Sequence, residues 1–488
     1  MVGAGPGDVG LLTSRGKTFI EQADCIVYDR LVSRELLNFA KETCECIYVG
    51  KENHKHVMKQ EDINILLAQK SSEHELVVRL KGGDSYVFGR GGEEALFLKN
   101  RGIDVEVVPG VTSAISVLAY AGIPITHRGL SKGFQVITAH SRKDEPSDID
   151  FSQLLDPEVT LVFLMGLAHV AQIAQGLIQA GRTPQTMVAV ISEGTTTRQR
   201  KCIGTLETIA DLVQEAALVS PSIIVVGDVV GLSGELSFFE NRPLFGKKII
   251  VPYVEGFSYR YGKGIGGFTE SRLITLLREK GATVTGLKVG KIIPTKVDFE
   301  RDYLDKLNWL IFTSANGIYS FMYNLEENGL DVRSIANVRI AVVGKKTAEV
   351  LSEFSIKADF VSKGQTAEAL ADEMSEFLKT SDRVLYASAL VSSKDIDEKL
   401  SKKCCLQIKS FYENQESEFD LPDFSADYLC FTSASGVDRV FRKMKIDGDT
   451  KVVTIGISST KAVLRNGYTP YIQAEDSSYE GMISALLG

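Results

Sequence analysis

The sequence lacks the features of a membrane protein and of a disulfide-stapled secreted protein. No apolar run reaches the roughly 18 residues that a membrane-spanning helix needs, and the N-terminus does not show the charged and then apolar pattern of a signal peptide. The 7 cysteines have no C-x-x-C spacing, which argues against a disulfide framework and against a zinc ribbon. We therefore expect a cytoplasmic protein without a membrane partner, whose cysteines are reduced and structural.

Histidine is also scarce, and the net charge is negative. The 6 histidines include His54 and His56, which have no neighbouring cysteine and no third ligand, so we expect no metal site. A formal net charge of -8 argues against nucleic acid as a partner. That charge is still compatible with a local basic pocket for a small molecule that carries carboxylates.

The length and the hydrophobic pattern indicate the fold class. The 488 residues are too many for one hydrophobic core and fit roughly two to four domains. Short apolar runs rich in β-branched residues alternate with helical segments. This alternation predicts an α/β fold with mostly parallel sheets.

The first half is organised around residues 77–94, which read VVRLKGGDSYVFGRGGEE. A short buried strand, Val77–Leu80, is followed directly by Gly82 and Gly83. In open α/β sheets, ligands bind beyond the carboxyl ends of the strands, and glycine lets the backbone approach a ligand closely. The motif therefore predicts a small-molecule site, although the glycines of such a motif can also serve only a tight turn.

The glycine-rich start, VGAGPGD at 2–8, does not match a dinucleotide fingerprint. Asp8 stands where the third glycine would be, and Pro6 removes an N–H that a pyrophosphate would use. Later apolar runs also end in small or polar residues, which indicates a ligand crevice at the ends of several strands. These runs are residues 135–138, 160–164, 188–191 and 223–226.

A series of motifs in the first 240 residues resembles uroporphyrinogen-III C-methyltransferase. The motifs are VGAGPGD at 2–8, VYDRLVS at 27–33, YVGK at 48–51, RLKGGDSYVFGRGGEE at 79–94, VPGVTSAISVLAYAGIPITHRG at 108–129 and GTTTRQR at 194–200. The resemblance implies the two-lobed fold of tetrapyrrole methyltransferases, with S-adenosylmethionine bound in the crevice between the lobes. It also implies a homodimer formed through this half.

The resemblance implies roles for individual residues. The cofactor-binding positions would be Pro6, Gly82, Gly83, Asp84, Val87, Thr112, Ser113, Met165 and Gly194. Asp29 and Lys51 fall where the family places its acid/base residues. Independently of the family, the attacked pyrrole must lose a proton after methylation, and a carboxylate such as Asp29 can accept it. Pairing with an adjacent cation is the alternative role for Asp29.

The substrate of that family, uroporphyrinogen III, carries several carboxylates, so cations should line the crevice. The candidates are Arg30, Lys51, Arg90 and Arg128, each of which could instead be a solvated surface residue. The sequence departs from the family in two places. Ser85 and Tyr86 replace the usual Pro-Phe after GGD, and the first strand is almost missing, for which we expect a misassigned start.

The second half begins after a linker that we place near 236–246, and it contains an internal repeat. TSANG at 313–317 and TSASG at 432–436 each follow an apolar run and precede a helix. Free N–H groups and hydroxyls at helix starts attract carboxylates. We therefore expect substrate to be bound by Thr313, Ser314, Thr432 and Ser433, although these residues could serve only as helix caps.

Together with the repeats, AVVGKKTAEVL at 341–351, KGQTAEALA at 363–371 and Tyr412 resemble uroporphyrinogen-III synthase over roughly 247–488. The resemblance implies two α/β lobes with parallel sheets, about 247–292 plus 417–488 and 298–410, joined by two strands near Ile293–Val297 and Phe411–Glu416. Tyr412 matches the family's candidate for assisting loss of the substrate hydroxyl. Its alternative role is packing at the lobe boundary.

The two resemblances predict a bifunctional enzyme. Residues 247–488 would cyclise hydroxymethylbilane to uroporphyrinogen III with inversion of the last ring. Residues 1–240 would then methylate that product at C2 and C7, forming precorrin-2 for siroheme or cobalamin. The alternative is a methyltransferase for another corrinoid intermediate, joined to a second half that only binds tetrapyrroles.

Overall fold

Alternating apolar strands and amphipathic helices build two separate units, Met1–Gly246 and Lys247–Gly488. The computed structural model describes residues 1–41, 43–50, 58–139, 149–260, 264–265, 271–364, 366–390, 395–419, 426–446 and 448–488. In the described part of the chain, no helix is both long enough and apolar enough to cross a membrane.

The first unit alternates strands and helices over its whole length. In chain order, its elements are β1 (Val2–Gly3), α1 (Ser14–Gln22), β2 (Cys25–Tyr28), β3 (Glu45–Tyr48), α2 (Gln60–Glu73), β4 (Val77–Lys81), α3 (Gly91–Lys99), α4 (Ser113–Tyr120), β5 (Gly133–Thr138), β6 (Val159–Leu164), α5 (Val170–Ala180), β7 (Met187–Ser192), β8 (Arg200–Thr205), α6 (Ile209–Glu215), β9 (Ser222–Val226) and α7 (Ser233–Leu236).

The first sheet of this unit has the strand order β1-β4-β2-β3, and all its described pairs are parallel. Because neighbouring residues of a strand point to opposite faces, β2 contributes to two cores. Ile26 packs with Ile20 of α1, whereas Val27 packs with Leu67 of α2 and Leu98 of α3. Both faces of the sheet are therefore covered, as its continuous apolar strands require.

The second sheet, in the order β5-β6-β9-β7-β8, departs from the expected parallel arrangement. Only β5 and β6 pair in parallel, while β9 is antiparallel to β6 and β7, and β8 is antiparallel to β7. Fully apolar strands occur in either arrangement, so the hydrophobic pattern did not distinguish them. α4 packs on this sheet through Val117 and Leu118.

The stretch for which a linker was predicted packs onto the first unit. Phe239 and Leu244 are buried, and the ring of Phe239 lies 4.7 Å from that of Tyr120. Glu240 forms an ion pair with Lys201 at 2.6 Å. Proline and the irregular pattern suggested a linker, but the aromatic residues anchor this stretch to the first unit.

The second unit is also an α/β structure. In chain order, its elements are β10 (Lys248–Glu255), β11 (Tyr259–Arg260), β12 (Gly264–Ile265), α8 (Arg272–Glu279), β13 (Thr283–Pro294), α9 (Arg301–Leu304), β14 (Trp309–Phe312), α10 (Ala315–Glu327), β15 (Arg339–Val343), α11 (Gly344–Glu353), β16 (Phe360–Ser362), α12 (Ala367–Met374), β17 (Arg383–Ala389), α13 (Asp395–Leu400), β18 (Cys405–Glu416), β19 (Tyr428–Phe431), α14 (Ala434–Phe441), β20 (Lys451–Thr454), α15 (Ile457–Arg465), β21 (Ile472–Gln473) and α16 (Tyr479–Leu487).

The long strands of this unit run in the order β16-β15-β14-β17-β18-β13-β10-β19-β20-β21. All neighbours pair in parallel except β13 and β18, which are antiparallel from Gly290–Pro294 to Tyr412–Glu416. This pair joins two parallel sheets, each with its own apolar core. The predicted connection by two strands is confirmed, although its first strand lies a few residues earlier than expected.

Candidate functional sites

The glycine-rich segments of the first unit meet at the end of β4. The amide of Gly83 donates to the carbonyl of Gly5 at 2.7 Å, and the amide of Gly5 donates back at 3.1 Å. A Cβ on Gly110 would lie 2.2 Å from the carbonyl oxygen of Gly83, and one on Gly3 would lie 2.5 Å from the backbone of Gly110. Three loops therefore approach so closely that only glycine fits between them.

The two glycines of the GGD turn have different surroundings. A Cβ on Gly82 would lie 2.6 Å from the Cβ of Leu31, so Gly82 is required by packing within the protein. Gly83 has a φ of +67°, and a Cβ there would meet only the amide nitrogen of Ser113, at 3.8 Å. Gly83 thus borders open space beside the N-terminus of α4, whose partial positive charge favours a negatively charged ligand.

Asp84 and Thr112 shape this turn through backbone contacts. One carboxylate oxygen of Asp84 accepts hydrogen bonds from the amides of Tyr86 and Val87, at 2.7 and 3.2 Å, and the other accepts one from Gly110 at 2.9 Å. The Thr112 hydroxyl caps α4. Asp84 therefore ties the GGD turn to the loop before α4.

The loop after β7 lies against the same region. A Cβ on Gly194 would lie 2.3 Å from Val117 of α4, and the amide of Asp8 donates to the hydroxyl of Thr195 at 3.3 Å. Pro6 belongs to the N-terminal loop that makes this contact. Met165 follows β6 with a φ of +58° and a half-exposed side chain. The left-handed backbone of a methionine is uncommon and is often found at functional positions.

Asp29 is held by a network of buried charges. One of its carboxylate oxygens accepts from the amide of Leu31 at 3.1 Å, and the other lies 3.2 Å from a guanidinium nitrogen of Arg79. Arg79 and Lys81 are buried on β4, and both pair with Glu94 of α3, at 3.3 and 2.8 Å. Buried charges are tolerated when they are paired in this way.

The network is oriented by further contacts around Glu94, which has no solvent exposure. The side-chain amide of Gln60 donates to Glu94 at 3.0 Å. Burial lowers the pKa of Lys81 and Arg79 adds to this effect, whereas Glu94 opposes it. Arg79, Lys81 and Glu94 were not among the predicted site residues, although two cations inside an otherwise apolar strand were a visible signal.

The predicted substrate cations of the first unit are exposed. Arg30, Arg90 and Arg128 all lie on the surface. Arg90 pairs with Glu93 at 2.6 Å and has a φ of +58° at the start of α3. Lys51 lies outside the described residues, as do His54 and His56.

One group of potential metal ligands occurs among the described residues. A ligand atom from each of Cys25, Glu45 and His74 lies within 4.8 Å of the other two. Lys70 already pairs with Glu45 at 2.9 Å. The group lies at the amino ends of β2 and β3, whereas the GGD turn follows the carboxyl end of β4.

A cavity of about 540 Å³ opens between the lobes of the second unit. The described residues that line it come from both lobes: Tyr253, Val254, Gly256, Ser271, Arg272, Ile292, Asn316, Asn414, Thr432, Ser433, Ser435 and Tyr479. This volume is typical of small-molecule sites. The lining is rich in hydroxyl and amide groups and has little charge.

The two repeated turns differ in what their hydroxyls contact. In TSASG, Thr432 and Ser433 line the cavity, and Ser433 also caps α14 by accepting from the amide of Gly436 at 3.2 Å. In TSANG, the Ser314 hydroxyl caps α10 and lies 2.9 Å from the Tyr412 hydroxyl. The Thr313 hydroxyl lies 3.1 Å from the Tyr386 hydroxyl. Neither Thr313 nor Ser314 is among the described residues that line the cavity.

Tyr412 lies at the lobe boundary, opposite Pro294 of β13. It is buried, which raises the pKa of its hydroxyl, and the hydrogen bond with Ser314 partly offsets this effect. The phenol is therefore protonated at neutral pH. It can donate a proton or a hydrogen bond.

Arg439 is a further site residue that was not predicted from the sequence. Its guanidinium donates to the side-chain oxygen of Asn414 at 2.9 Å and to the carbonyl of Val289 at 3.1 Å. Asn414 lines the cavity on β18, and Val289 belongs to β13. Arg439 thus fixes the orientation of a cavity side chain and joins the two connecting strands.

Comparison with known proteins assigns a family to each unit. Residues 1–210 match the family described as Tetrapyrrole (Corrin/Porphyrin) Methylases, and residues 271–484 match the family described as Uroporphyrinogen-III synthase HemD. The porphyrin biosynthesis protein HemD of Ruminiclostridium josui is 37% identical over 500 residues, which cover 100% of this chain and 97% of that protein.

Two further relatives match the first unit alone. The uroporphyrinogen-III C-methyltransferase of Methanocaldococcus jannaschii is 49% identical over 234 residues, which cover 48% of this chain and 96% of that protein. The crystal structure of uroporphyrin-III C-methyl transferase from Thermus thermophilus, complexed with S-adenyl homocysteine, is 40% identical. The match covers 47% of this chain and 97% of that chain, with a TM-score of 0.41. The chain belongs to the family of fusion proteins in which a tetrapyrrole methylase is followed by a uroporphyrinogen-III synthase.

Proposed function

We propose that the chain makes precorrin-2 from hydroxymethylbilane in two stages. The second unit cyclises the bilane to uroporphyrinogen III with inversion of the last ring, and the first unit methylates that product at C2 and C7. The observation that carries the proposal is the family match of each unit together with a relative that is similar over the whole chain.

The first unit is proposed to bind S-adenosylmethionine, which supplies the methyl group, beside Gly83. The open space at this glycine, next to the N-terminus of α4, fits a ligand that carries a carboxylate. We propose that the other cofactor contacts come from Met165 and from the loops that contain Pro6, Gly82, Asp84, Val87, Thr112, Ser113 and Gly194. Binding in a crevice of this kind excludes water and aligns the reacting carbon with the methyl group.

Asp29 is proposed as the base of the methylation step. A C–C bond forms while the methyl–sulfur bond breaks, and the cationic ring that results then loses a proton from a position other than the methylated carbon, which the carboxylate of Asp29 can accept. Arg79 holds this carboxylate in one orientation. Lys51 remains proposed as the second acid/base residue, with Arg30, Arg90 and Arg128 as contacts for the substrate carboxylates.

The second unit is proposed to act mainly by holding the bilane in a folded shape. Its cavity offers hydroxyl and amide groups from both lobes, including Thr432 and Ser433. The protonated phenol of Tyr412 is proposed to assist departure of the bilane hydroxyl as water. Because Ser314 contacts Tyr412, we propose that Ser314 positions the phenol, and that Thr313 supports the same turn.

The test is incubation of the purified chain with hydroxymethylbilane, with and without S-adenosylmethionine. The expected products are uroporphyrinogen III without the methyl donor and precorrin-2 with it. The bilane closes spontaneously to isomer I, so formation of isomer III reports the activity of the second unit. A chain that gives only isomer I, yet methylates added uroporphyrinogen III, would contradict the proposed synthase activity. It would favour the alternative in which the second unit only binds tetrapyrroles.

We also propose that the protein is cytoplasmic and forms a homodimer through the first unit. Sedimentation of the whole chain and of Met1–Gly246 tests the second statement. Monomers in both samples at micromolar concentration would contradict it.

A further inference from the structure

One charged residue stands among the described residues that line the cavity of the second unit. Arg272 opens α8, and its side chain is 71% exposed. One of its guanidinium nitrogens lies 3.1 Å from a carboxylate oxygen of Glu480, whose side chain is 56% exposed. Glu480 lies in the first turn of α16, beside Tyr479, which lines the cavity.

The ion pair between Arg272 and Glu480 is replaceable. Water screens exposed pairs, so they contribute little to stability. A guanidinium has five N–H donors in a planar fork, and a carboxylate that binds two of them makes a stronger contact than a single hydrogen bond. An anion that enters the cavity can therefore replace Glu480 or share Arg272 with it.

The surroundings of Arg272 favour an anion. α8, α14 and α16 each present an N-terminal residue to the cavity: Arg272, Ser433 as the cap of α14, and Tyr479. Helix N-termini carry partial positive charge. The hydroxyl oxygen of Ser271, next to Arg272, is buried and has no hydrogen-bond partner in the described part of the chain.

We propose that Arg272 binds a carboxylate side arm of the bilane and that Glu480 competes with the substrate for this guanidinium. The proposal rests on the proposed function of the second unit and adds the residue that determines its preference for a polyanion. A neutral molecule of similar shape does not replace Glu480. The pair therefore selects substrates by charge.

The test is the rate of isomer III formation without S-adenosylmethionine, measured for variants of the whole chain. Arg272→Gln should raise KM about tenfold with kcat retained, because a charge-assisted contact made throughout the reaction is lost. Arg272→Lys should restore part of the affinity. Glu480→Gln should lower KM, since the competitor is removed.

The double variant, Arg272→Gln with Glu480→Gln, separates competition from simple loss of an ion pair. If Glu480 acts only by competing for Arg272, the double variant should match Arg272→Gln alone. Arg465→Gln is the matched control, because Arg465 pairs with Asp438 at 2.6 Å with a similar exposure of 65% and lies outside the lining of the cavity. Its KM should equal that of the unaltered chain.

Equal KM values for Arg272→Gln and Arg465→Gln would overturn the proposal, as would a Glu480→Gln variant with raised KM. An unaltered chain that forms only isomer I would contradict the proposed function instead. In that case the affinity for uroporphyrin, followed by its fluorescence, decides the question. Arg272→Gln should weaken that affinity about tenfold, and an unchanged value would overturn the inference.

Discussion

The two units build their candidate sites from different kinds of groups. The first unit places Asp29 on a buried network of Arg79, Lys81 and Glu94, beside a turn that only glycine fits. The second unit lines its cavity with neutral hydroxyls and amides and with one exposed arginine among the described residues. Under the proposed function, the methylated ring must give up a proton to a fixed base, whereas a cyclisation that also proceeds unaided needs mainly a folded substrate.

The largest expected effect concerns Gly83. In Gly83→Val, the side chain would fill the open space beside Ser113, so binding of S-adenosylmethionine should become undetectable by calorimetry. Gly102→Val is the control, because Gly102 has a similar φ of +75° and its Cβ would also meet open space, but away from the turn. Equal cofactor affinity in both variants would show that the cofactor does not bind at this turn.

The second expectation tests the charged group of the first unit. Asp29→Asn keeps an oxygen for the Leu31 amide but lacks the basic carboxylate, so methyl transfer should slow by a factor on the order of 100 to 10,000. Cofactor affinity should stay the same. Single-turnover kinetics with uroporphyrinogen III provides the measurement, and unchanged turnover would exclude Asp29 as the base.

The third expectation concerns the stability of the same network. Glu94→Gln leaves Lys81 buried without a counter-charge and leaves Arg79 with Asp29 alone, so the free energy of unfolding should fall by about 3 to 5 kcal/mol. Glu158→Gln removes an exposed partner of Lys132 and should cost about 0 to 1 kcal/mol. Urea denaturation of both variants measures this difference, and similar values would show that the network contributes little.

The fourth expectation moves to the second unit, where single substitutions should have smaller effects. Tyr412→Phe removes only the hydroxyl, so the rate of isomer III formation should fall by about tenfold with bilane affinity retained. Tyr386→Phe is a comparable change, at the hydroxyl that contacts Thr313. If the two variants have equal rates, Tyr412 has only a packing role.

The smallest expected effect distinguishes the two repeated turns. Ser433→Ala should weaken bilane binding by about five- to tenfold, because its hydroxyl lines the cavity. Ser314→Ala should instead lower the rate and leave binding unchanged, because this hydroxyl contacts Tyr412. Since each serine caps a helix, both variants should lose similar stability, on the order of 1 kcal/mol. Identical kinetic effects would contradict the assignment of different roles.

The sequence predicted those parts of the fold and site that depend on local pattern. The apolar run before GGD and the glycines after it specify a strand and a close turn, because β-branched residues favour strands and only glycine permits the required approach. The TSANG and TSASG turns likewise cap helices in the structure, since a serine hydroxyl can bond the amide three residues on. These properties depend on neighbours in the chain.

Contacts between distant residues could not be predicted in this way. Arg79 and Lys81 gave no indication that Glu94 on α3 would pair with both, and the repeated turns gave no sign that Ser314 would meet Tyr412, 98 residues later. The antiparallel strands of the second sheet and the docking of Phe239 were missed for the same reason. The hydroxyls of nearly the same five-residue motif therefore line the cavity in one lobe and contact tyrosines in the other, although Asn316 of TSANG also lines the cavity.

The sequence by itself determined the α/β alternation, the glycine-rich turns and the helix caps, because backbone conformation and hydrophobic periodicity are local properties. Only the tertiary structure decided which charges are paired, which hydroxyls line the cavity and how the strands are ordered. The burial of a side chain and its bonding partners depend on which surfaces meet after folding. The groups that then surround the side chain set its pKa and its hydrogen bonds.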